Sequence, residues 1–600
     1  AAGPTRPAAP ATAATTLVTI DGPWDVSFPP NLGAPPKVQL AKLESWTASS
    51  NDGVKYFSGT ATYSKTLTAP PDWFSPDTGV FLDLGRVGDL AEVSVNGRVF
   101  ETLWKPPYRV DVSGALRPGA NQLEVKVTNE WTNRLLGDRP LPPEKKVLDR
   151  GAAQPGGFGG RGGTPALTEA GLMGPVTVVS RVLNRVADGR DGNIAGIPVN
   201  YTESRAGTYK LPDLLTLANG RPVRDAKTWN QKRRPELVRL LEENQFGRSP
   251  GRPADLSFEI TEPGTPEFGG KAVRRQVTIR FTKDKGGPKM DLLLYLPAGA
   301  IKPVPVLLNA SFTANNLTAD DPGVKVGEIW NPQEKKRVPA IAGRRFGRLN
   351  VLPTLEKGFG IATVNYADID PDALGAVAFG VRATYLKPGQ TEPAADEWGA
   401  IAAWAWGLSR AVDYFETDKD VDAKRVAILG VSRLGKTVLW AGAHDPRIAL
   451  VIASCSGEGG AALSRRNYGE TVAHLVAPTR YPYQFAVNYQ KWAGKMDSAP
   501  FDAHMLVALM APRPLLLQTG ETDYWSDPKG EFLAAAAATP AYRLLGQQGM
   551  ETEQMPQPGQ IVGHTLAYYM HAGGHGTVPS DWEVFLNFMQ AHLSLQPVLP

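Results

Sequence analysis

From about Tyr209 to the C-terminus, short apolar runs of β-strand character alternate with stretches of helical periodicity. A strand buried on both faces of a parallel sheet is apolar throughout, and parallel strands need a long crossover, usually a helix. The stretch 397–417 places apolar side chains such as Trp404 and Leu408 on one stripe of a helix. The pattern predicts an α/β fold, with a mostly parallel sheet covered by helices on both faces. The apolar runs are 291–297, 304–312, 360–366, 425–430, 449–454 and 513–520.

The preceding part of the chain, from about Leu17 to Val182, has a different pattern. Short alternating segments such as 80–85, 91–97 and 121–129 are separated by glycine, proline and asparagine. Regularly spaced short strands of this kind predict an antiparallel sandwich or jelly roll. The glycine-rich stretch 151–163 predicts a mobile surface loop. We therefore expect a flexible segment at 1–16, an all-β domain at 17–183, a linker at 184–207 and an α/β domain at 208–600.

Composition excludes several classes of protein. With 64 basic and 60 acidic residues the net charge is only +4, and no basic cluster points to a nucleic acid or a membrane surface. No stretch approaches the roughly 20 apolar residues of a membrane span. Cys455 is the single cysteine, so we expect no disulfide, no metal site and no cofactor. The first 16 residues lack the apolar core of a signal peptide and are typical of what remains after cleavage.

One local string, VAILGVSRLGK at 426–436, places Ser432 between a buried strand and a helix-compatible run. A serine at a sharp strand-to-helix turn is held clear of its backbone, and the following helix offers N–H groups to an oxyanion. The spacing is G-x-S-x-x-G rather than G-x-S-x-G. The motif alone therefore leaves two interpretations open, a nucleophile or a serine that caps an ordinary helix.

A serine nucleophile needs a base and an orienting acid, which α/β-hydrolases supply in the chain order Ser, acid, His. Asp523 and Asp527 follow one of the apolar runs; Asp523 is nearer the strand, and Asp527 precedes a proline as in a turn. His571 ends the final strand-like run, whereas His575 lies in the glycine-rich loop beyond it. We therefore predict that Ser432, Asp523 and His575 form a catalytic triad.

These residues resemble carbohydrate esterase family 15, the glucuronoyl esterases, over about 208–597. The resemblance implies an α/β-hydrolase that uses no metal to cleave esters between the carboxyl group of 4-O-methyl-glucuronate on xylan and lignin alcohols. The implied substrate is glucuronoxylan or a lignin–carbohydrate ester, from which a secreted or periplasmic location follows, and a monomer is the default expectation. The matching strings include RRPELVRLLEENQFGRSPGRP, ATVNYADIDPD, VAILGVSRLGKTVLW, GGAALSRRNYGET and RPLLLQTGETDYWSDPKG.

The resemblance also implies roles for residues near the serine. Arg433 would contribute an oxyanion contact through its backbone N–H, with its guanidinium as a second candidate group. Lys436 and Glu470 would bind hydroxyls of the sugar, and Trp525 would pack on the uronate. The simpler interpretations are a surface arginine, a solvated lysine on the helix and a core tryptophan, and without the resemblance such interpretations would be favoured for Lys436, Glu470 and Trp525.

The sequence departs from the family pattern at two places. Many members carry the triad acid as glutamate in an E-S-G-x-G-G string, where this chain has Cys455, and Glu458 is displaced by three residues. A P-H-W-F-like string is replaced by PYQF, with Gln484 third. The acid is therefore expected at Asp523, and substrate preference stays open. The alternatives are an esterase of the same fold acting on acetyl, feruloyl or methyl esters, and a carbohydrate-binding protein with a degenerate hydrolase domain.

The string from Val93 to Asp138 resembles the galactose-binding-like β-sandwich of glycoside hydrolase family 2 and of some α-L-rhamnosidases. This resemblance implies a fold and, less directly, a ligand. Trp104, Tyr108 and Trp131 would stack on a sugar, or, as the simpler interpretation, fill the core or brace the other domain.

Overall fold

Contacts between Cα atoms divide the chain into two compact units, Ala1–Asn184 and Arg185–Pro600. The predicted loop at 151–163, and parts of the predicted N-terminal segment and linker, lie outside the described residues. The finer division of the chain stays a prediction. No helix among the described residues is long and apolar enough to cross a membrane. The structure is a computed structural model that describes residues 15–74, 78–100, 102–148, 166–182, 191–300, 303–341 and 347–594.

The first unit contains short strands and two short helices among its described residues. Its larger sheets have the orders β1-β12-β5-β9 and β3-β2-β4-β10-β7-β8, and their strand pairs are antiparallel. The strands are β1 (Thr15–Thr19), β2 (Trp24–Ser27), β3 (Lys37–Leu40), β4 (Thr60–Ala69), β5 (Thr78–Asp83), β6 (Arg86–Val87), β7 (Leu90–Val95), β8 (Arg98–Val99), β9 (Arg109–Asp111), β10 (Gly119–Thr128), β11 (Leu172–Gly174) and β12 (Thr177–Val182), and the helices are α1 (Asp52–Lys55) and α2 (Thr132–Asp138).

One hydrophobic core receives side chains from both of these sheets. In its centre, the Trp46 ring packs edge-on against Phe57, with ring centroids 5.2 Å apart. Its Nε1–H donates to Tyr63 Oη at 2.6 Å, and the N–H of Leu172 donates to the same oxygen at 3.0 Å. The Tyr63 hydroxyl therefore satisfies two buried donors that water cannot reach.

The three aromatic residues singled out in the sequence do not share one environment. Tyr108 is 8% exposed and belongs to the core, whereas Trp104 and Trp131 are 66% and 52% exposed. The simpler interpretation, that these rings fill the core of the domain, is wrong for the two tryptophans. The galactose-binding-like assignment of the unit stays a prediction.

The second unit is built on one large sheet with helices packed against it. The helices are α3 (Ala226–Thr228), α4 (Arg234–Leu241), α5 (Val351–Glu356), α6 (Tyr366–Ile369), α7 (Ala400–Phe415), α8 (Arg433–His444), α9 (Val472–Leu475), α10 (Ala503–Ala508), α11 (Pro528–Leu544) and α12 (Asp581–Leu593). The strands are β13 (Gly192–Ile194), β14 (Ile197–Val199), β15 (Ser257–Glu267), β16 (Ala272–Arg280), β17 (Lys289–Pro297), β18 (Val304–Ser311), β19 (Glu328–Asn331), β20 (Lys336–Pro339), β21 (Gly360–Asn365), β22 (Val421–Val431), β23 (Ile448–Ser454), β24 (Leu515–Gly520), β25 (Ile561–Gly563) and β26 (Leu566–His571).

The large sheet has the order β15-β16-β17-β21-β18-β22-β23-β24-β26-β25 among the described strands. The run from β21 to β26 is parallel, and the strands at both edges are antiparallel. The predicted α/β class is therefore confirmed for this unit. The apolar run 291–297 became β17, which is antiparallel to its neighbour rather than part of the parallel set.

Helices cover both faces of this sheet. Two adjacent residues of β18 show this, since successive side chains of a strand point to opposite faces. On β18, Leu308 joins a core that includes residues of α7, α8, α10 and α11. Its neighbour Leu307 joins a second core that includes residues of α5 and α12. Strands β22, β23, β24 and β26 are consecutive, so the residues that follow them lie along one edge of the sheet.

We expect Tyr63→Phe to lower the free energy of unfolding of the first unit by about 1–3 kcal/mol, because two buried donors lose their acceptor. Urea titration of the full chain, followed by fluorescence, measures this change. Tyr56→Phe, the same substitution at a partly exposed tyrosine of the same unit, is the matched control and should change stability by less than about 0.5 kcal/mol. Equal effects of the two variants would contradict this account of the core.

Candidate active site

Ser432 follows β22 directly and begins the turn into α8 with φ 58° and ψ −127°. A non-glycine residue in such a conformation carries strain of about 1–3 kcal/mol and is common at nucleophile turns. The turn is also tight: a Cβ on Gly430 would lie 2.1 Å from the carbonyl oxygen of Leu434, and one on Gly435 2.8 Å from that of Ser454. Both glycines of the G-x-S-x-x-G string are therefore required by close backbone approach.

Helix α8 begins at Arg433, immediately after the serine. The N–H groups of a helix's first turn have no partner within the helix, and they lie at the positive end of its dipole. The backbone N–H of Arg433 is therefore available to a negatively charged oxygen atom beside Ser432.

His575 and Asp523 form a close pair. His575 Nδ1 lies 2.7 Å from Asp523 Oδ2, and Ser526 Oγ lies 3.2 Å from the same ring nitrogen. Asp523 is buried, whereas the His575 side chain is 41% exposed. The carboxylate fixes Nδ1 as the protonated nitrogen, which leaves Nε2 as the basic one.

Asp527, the alternative acid, is engaged elsewhere. Its carboxylate accepts a hydrogen bond from Arg466 Nε at 2.8 Å, and it caps α11 by accepting from the N–H of Gly530 at 3.0 Å. The arrangement fits the turn role expected for an aspartate before a proline, and it holds the start of α11 in place.

The other candidates also have partners of their own. His571 Nδ1 lies 2.8 Å from Asp581 Oδ2, so this ring is held at the N-terminus of α12. Glu458 accepts a hydrogen bond from Tyr489 Oη at 3.2 Å, and burial raises the pKa of Glu458 to about 8. A carboxyl group that is neutral at pH 7 is a poor partner for an imidazolium.

Cys455 lies beside the Asp523–His575 pair. Its thiol is buried and accepts a hydrogen bond from the N–H of Gly576 at 3.4 Å. The potential ligand atoms of Cys455, Asp523 and His575 all lie within 4.8 Å of one another. Burial, reinforced by the charge of Asp523, raises the pKa of the thiol well above its usual value. At neutral pH Cys455 is therefore an uncharged thiol that lies beside the Asp523–His575 pair.

Lys436 and Glu470, the implied sugar-binding residues, are both buried. The interpretation of Lys436 as a solvated lysine is therefore wrong. Burial lowers the pKa of Lys436, and the charge of Glu470 opposes that effect. Burial raises the pKa of Glu470, opposed by the charges of Lys436, Arg480 and Arg433. These charges therefore lie close enough to change one another's pKa.

Trp525 is half-buried and lies beside Glu470. The backbone N–H of Glu470 donates to its carbonyl oxygen at 2.8 Å. The Arg480 guanidinium lies 5.0 Å from the indole centroid, and Arg480 Nη2 also donates to Glu470 Oε1 at 2.7 Å. The arginine therefore holds the aromatic ring and the carboxylate in a fixed relation.

Comparison with known proteins places this geometry in a family. Residues 389–546 match the model of the family described as glucuronyl esterase, fungi. Carbohydrate esterase MZ0003, from an unknown prokaryotic organism, is 43% identical over 402 residues, which cover 66% of this chain and 92% of the relative. The chain therefore belongs to carbohydrate esterase family 15.

Two solved structures of this family are similar to the chain. A glucuronoyl esterase from Solibacter usitatus is 47% identical, with a TM-score of 0.63, over 65% of this chain and all of the solved one. A promiscuous family 15 esterase from a marine bacterial metagenome is 42% identical, with a TM-score of 0.60, over 66% of this chain and 100% of that chain.

Sequence reasoning missed Asp372 of this family 15 esterase. Its carboxylate pairs with the Arg433 guanidinium and accepts hydrogen bonds from Tyr366 Oη at 2.7 Å and Tyr483 Oη at 2.8 Å. Gln484 Nε2 donates to the same carboxylate at 2.9 Å. Burial is the largest influence on the pKa of Arg433 and lowers it, but the charge of Asp372 and the smaller effects of neighbouring tyrosines together raise that pKa above its usual value. The available signal was the acid-rich string YADIDPD directly after β21.

The second departure from the family pattern thus has a structural consequence. In the PYQF string, Tyr483 and Gln484 both donate to Asp372, so the string holds the carboxylate that holds Arg433. Gln484 therefore helps to hold the carboxylate that orients Arg433, the residue after Ser432.

We expect Asp523→Asn to lower kcat by about 10³–10⁴, because an amide neither fixes the His575 tautomer nor stabilises the imidazolium. Steady-state ester hydrolysis measures the change. Asp527→Asn is the matched control; Arg466 keeps Glu203, whose Oε2 lies 2.8 Å from Nη2, so this variant should lose stability rather than turnover. An equal loss of kcat in a folded Asp527→Asn would contradict the assignment.

We expect Asp372→Asn to lower kcat by about 10- to 100-fold with KM little changed, since losing an oxyanion donor outright costs about 10²–10³. The neutral amide keeps hydrogen-bonding capacity toward Tyr366 but no longer orients the guanidinium. Asp372→Glu should restore part of the rate. A fall in melting temperature without a change in kcat, or equal effects on kcat and KM, would assign Asp372 a purely structural role.

Proposed function

We propose that this chain is a carboxylic ester hydrolase that cleaves esters of glucuronic acid through a covalent acyl-enzyme. The observation that carries the proposal is the 2.7 Å contact between His575 and Asp523 in a family 15 chain, at the sheet edge where β22 also ends in the strained turn of Ser432. Serine, histidine and aspartate in this relation support acyl transfer without a metal.

In the acylation step, His575 Nε2 takes the proton of Ser432 Oγ while Oγ attacks the ester carbonyl carbon. Asp523 holds Nδ1–H and stabilises the imidazolium that results. The tetrahedral intermediate collapses, the proton passes from Nε2 to the departing alcohol, and the glucuronoyl group stays on Ser432. Water then repeats the sequence: Nε2 takes its proton, hydroxide attacks the acyl carbon, and Ser432 Oγ leaves with the proton.

Arg433 stabilises the charge that develops on the carbonyl oxygen. Its backbone N–H is the first of α8, and its guanidinium is oriented by Asp372. An arginine whose pKa is raised stays cationic throughout the working range, so its charge needs no reorganisation during the reaction.

Lys436, Glu470 and Trp525 recognise the sugar. A buried ammonium and a buried carboxylate bind adjacent hydroxyls as donor and acceptor, and an indole face packs on the apolar face of a pyranose ring. We further propose that the natural substrate is a glucuronoyl ester of xylan or of a lignin–carbohydrate linkage, hydrolysed by a monomer outside the cytoplasm.

The relative described as a promiscuous esterase favours a second candidate, an esterase of the same fold that also accepts acetyl or simple methyl esters. In that case the contribution of Lys436 and Glu470 to catalysis would be small, since such esters carry no uronate hydroxyls. A carbohydrate-binding protein with a degenerate hydrolase domain is the remaining alternative.

The test is hydrolysis of benzyl glucuronate by wild type and Ser432→Ala, with benzyl acetate as the control ester. We expect rapid turnover of the uronate ester, little turnover of the acetate, and a loss of at least about 10³-fold in the variant. Comparable rates on the two esters would favour the promiscuous alternative. Turnover that survives in a folded Ser432→Ala would overturn the nucleophile assignment, and an inactive folded wild type would favour a binding role.

A further inference from the structure

Three potential metal ligands converge at the ends of three consecutive strands. Cys455 follows β23, Asp523 follows β24 and His575 follows β26, and one ligand atom from each lies within 4.8 Å of the other two. The mechanism uses the histidine and the aspartate but has no role for the thiol.

We propose that Cys455, Asp523 and His575 form an inhibitory binding site for a soft divalent cation such as Zn²⁺. The inhibitory part of this inference rests on the proposed function, because the ion would occupy two members of the triad. Thiolate sulfur, imidazole nitrogen and carboxylate oxygen are the ligand types that Zn²⁺ takes in proteins, with water in the fourth position.

The geometry needs only a small adjustment. If three atoms lie within 4.8 Å of one another, the centre of the smallest sphere that holds all three lies at most about 2.8 Å from each of them. Zinc bonds are about 2.0–2.3 Å long, so each ligand would close in by well under 1 Å. The His575 side chain is 41% exposed and lies between Gly574 and Gly576, the latter with φ 104°. The loop can therefore move the ring, and its exposed side admits the ion.

The donor set also predicts selectivity. Mg²⁺ and Ca²⁺ prefer sites composed of oxygen ligands, whereas one sulfur and one nitrogen favour Zn²⁺, Co²⁺ or Cd²⁺. The Cys455 thiol loses its proton to solvent when the ion binds. It then gives up the hydrogen bond that it donates to the Gly576 carbonyl oxygen at 3.6 Å, and it keeps the one that it accepts from the Gly576 N–H at 3.4 Å.

Binding would stop catalysis for a structural reason. An ion between Asp523 and His575 replaces the 2.7 Å hydrogen bond that orients the ring and ligates Nδ1, whose proton passes through solvent to Nε2. The imidazole then cannot cycle between base and acid. Since the thiol itself takes no part in the reaction, its replacement should leave basal activity near that of wild type.

The first readout is spectroscopic and does not depend on esterase activity. Co²⁺ is titrated into the purified full chain, and the ultraviolet thiolate-to-cobalt charge-transfer band is followed. Cys455 is the single cysteine, so any such band reports this residue. We expect a saturable band in wild type and in Ser432→Ala, and none in Cys455→Ser. A folded wild type without the band would overturn the proposal, as would a band undiminished in His575→Ala.

The second readout is inhibition of ester hydrolysis by Zn²⁺, with Mg²⁺ as the control ion. Losing even an outer-shell partner weakens metal binding about 10- to 100-fold, so Cys455→Ser should need at least about tenfold more Zn²⁺ for half-inhibition. Cys455→Ala is the second variant should the serine disturb folding. Equal Zn²⁺ sensitivity of wild type and these variants would overturn the site. A cobalt band in a chain without esterase activity would uphold the site and count only against the proposed function.

Discussion

The strained backbone conformation of Ser432 is the constraint that the packing of the second unit has to satisfy. Its conformation carries about 1–3 kcal/mol of strain, which packing on both sides of the turn must offset. Strand β22 pairs with β18 and β23, and α8 buries Leu434, Val438 and Leu439 within the core. Each fully buried side chain of this kind contributes about 1.5–3 kcal/mol. A few of these contacts therefore exceed the strain, so the sheet and helix can hold the serine where an isolated turn could not.

The buried and half-buried charges around the turn stabilise one another. Taking an unpaired ion out of water costs several kcal/mol, so each buried charge here needs a partner. Arg433 has Asp372, and Glu470 has Arg480 and the nearby charge of Lys436. These pairs do not have to add net stability to matter. Because each side chain is held by another, the groups that face the substrate are oriented before it arrives.

The sequence predicted features that depend on local pattern. Apolar runs became the strands of the parallel set because a strand buried on both faces leaves a continuous signal, and α7 lies within the predicted helix 397–417. Nearness to the preceding strand, and the proline after Asp527, were also enough to choose Asp523 over Asp527 as the partner of His575. The contacts of Asp372 could not be predicted in this way. Tyr366 is six positions away, but the other partners, Arg433, Tyr483 and Gln484, lie 61 to 112 positions away along the chain.

The adjacency of β23 and β24 explains how this chain can have Cys455 at the position where the family pattern has a glutamate. Neighbouring strands lie about 4.7–4.9 Å apart, and the N–H of Cys455 donates to the carbonyl oxygen of Gln518 on β24 at 2.6 Å. A carboxylate at the end of either β23 or β24 can therefore reach the same histidine. Two carboxylates at that distance would raise each other's pKa, and one of them would become protonated at neutral pH. With Asp523 already paired to His575, the position at the end of β23 no longer needs a charge. An uncharged thiol there preserves the packing and leaves the histidine with one ionised partner.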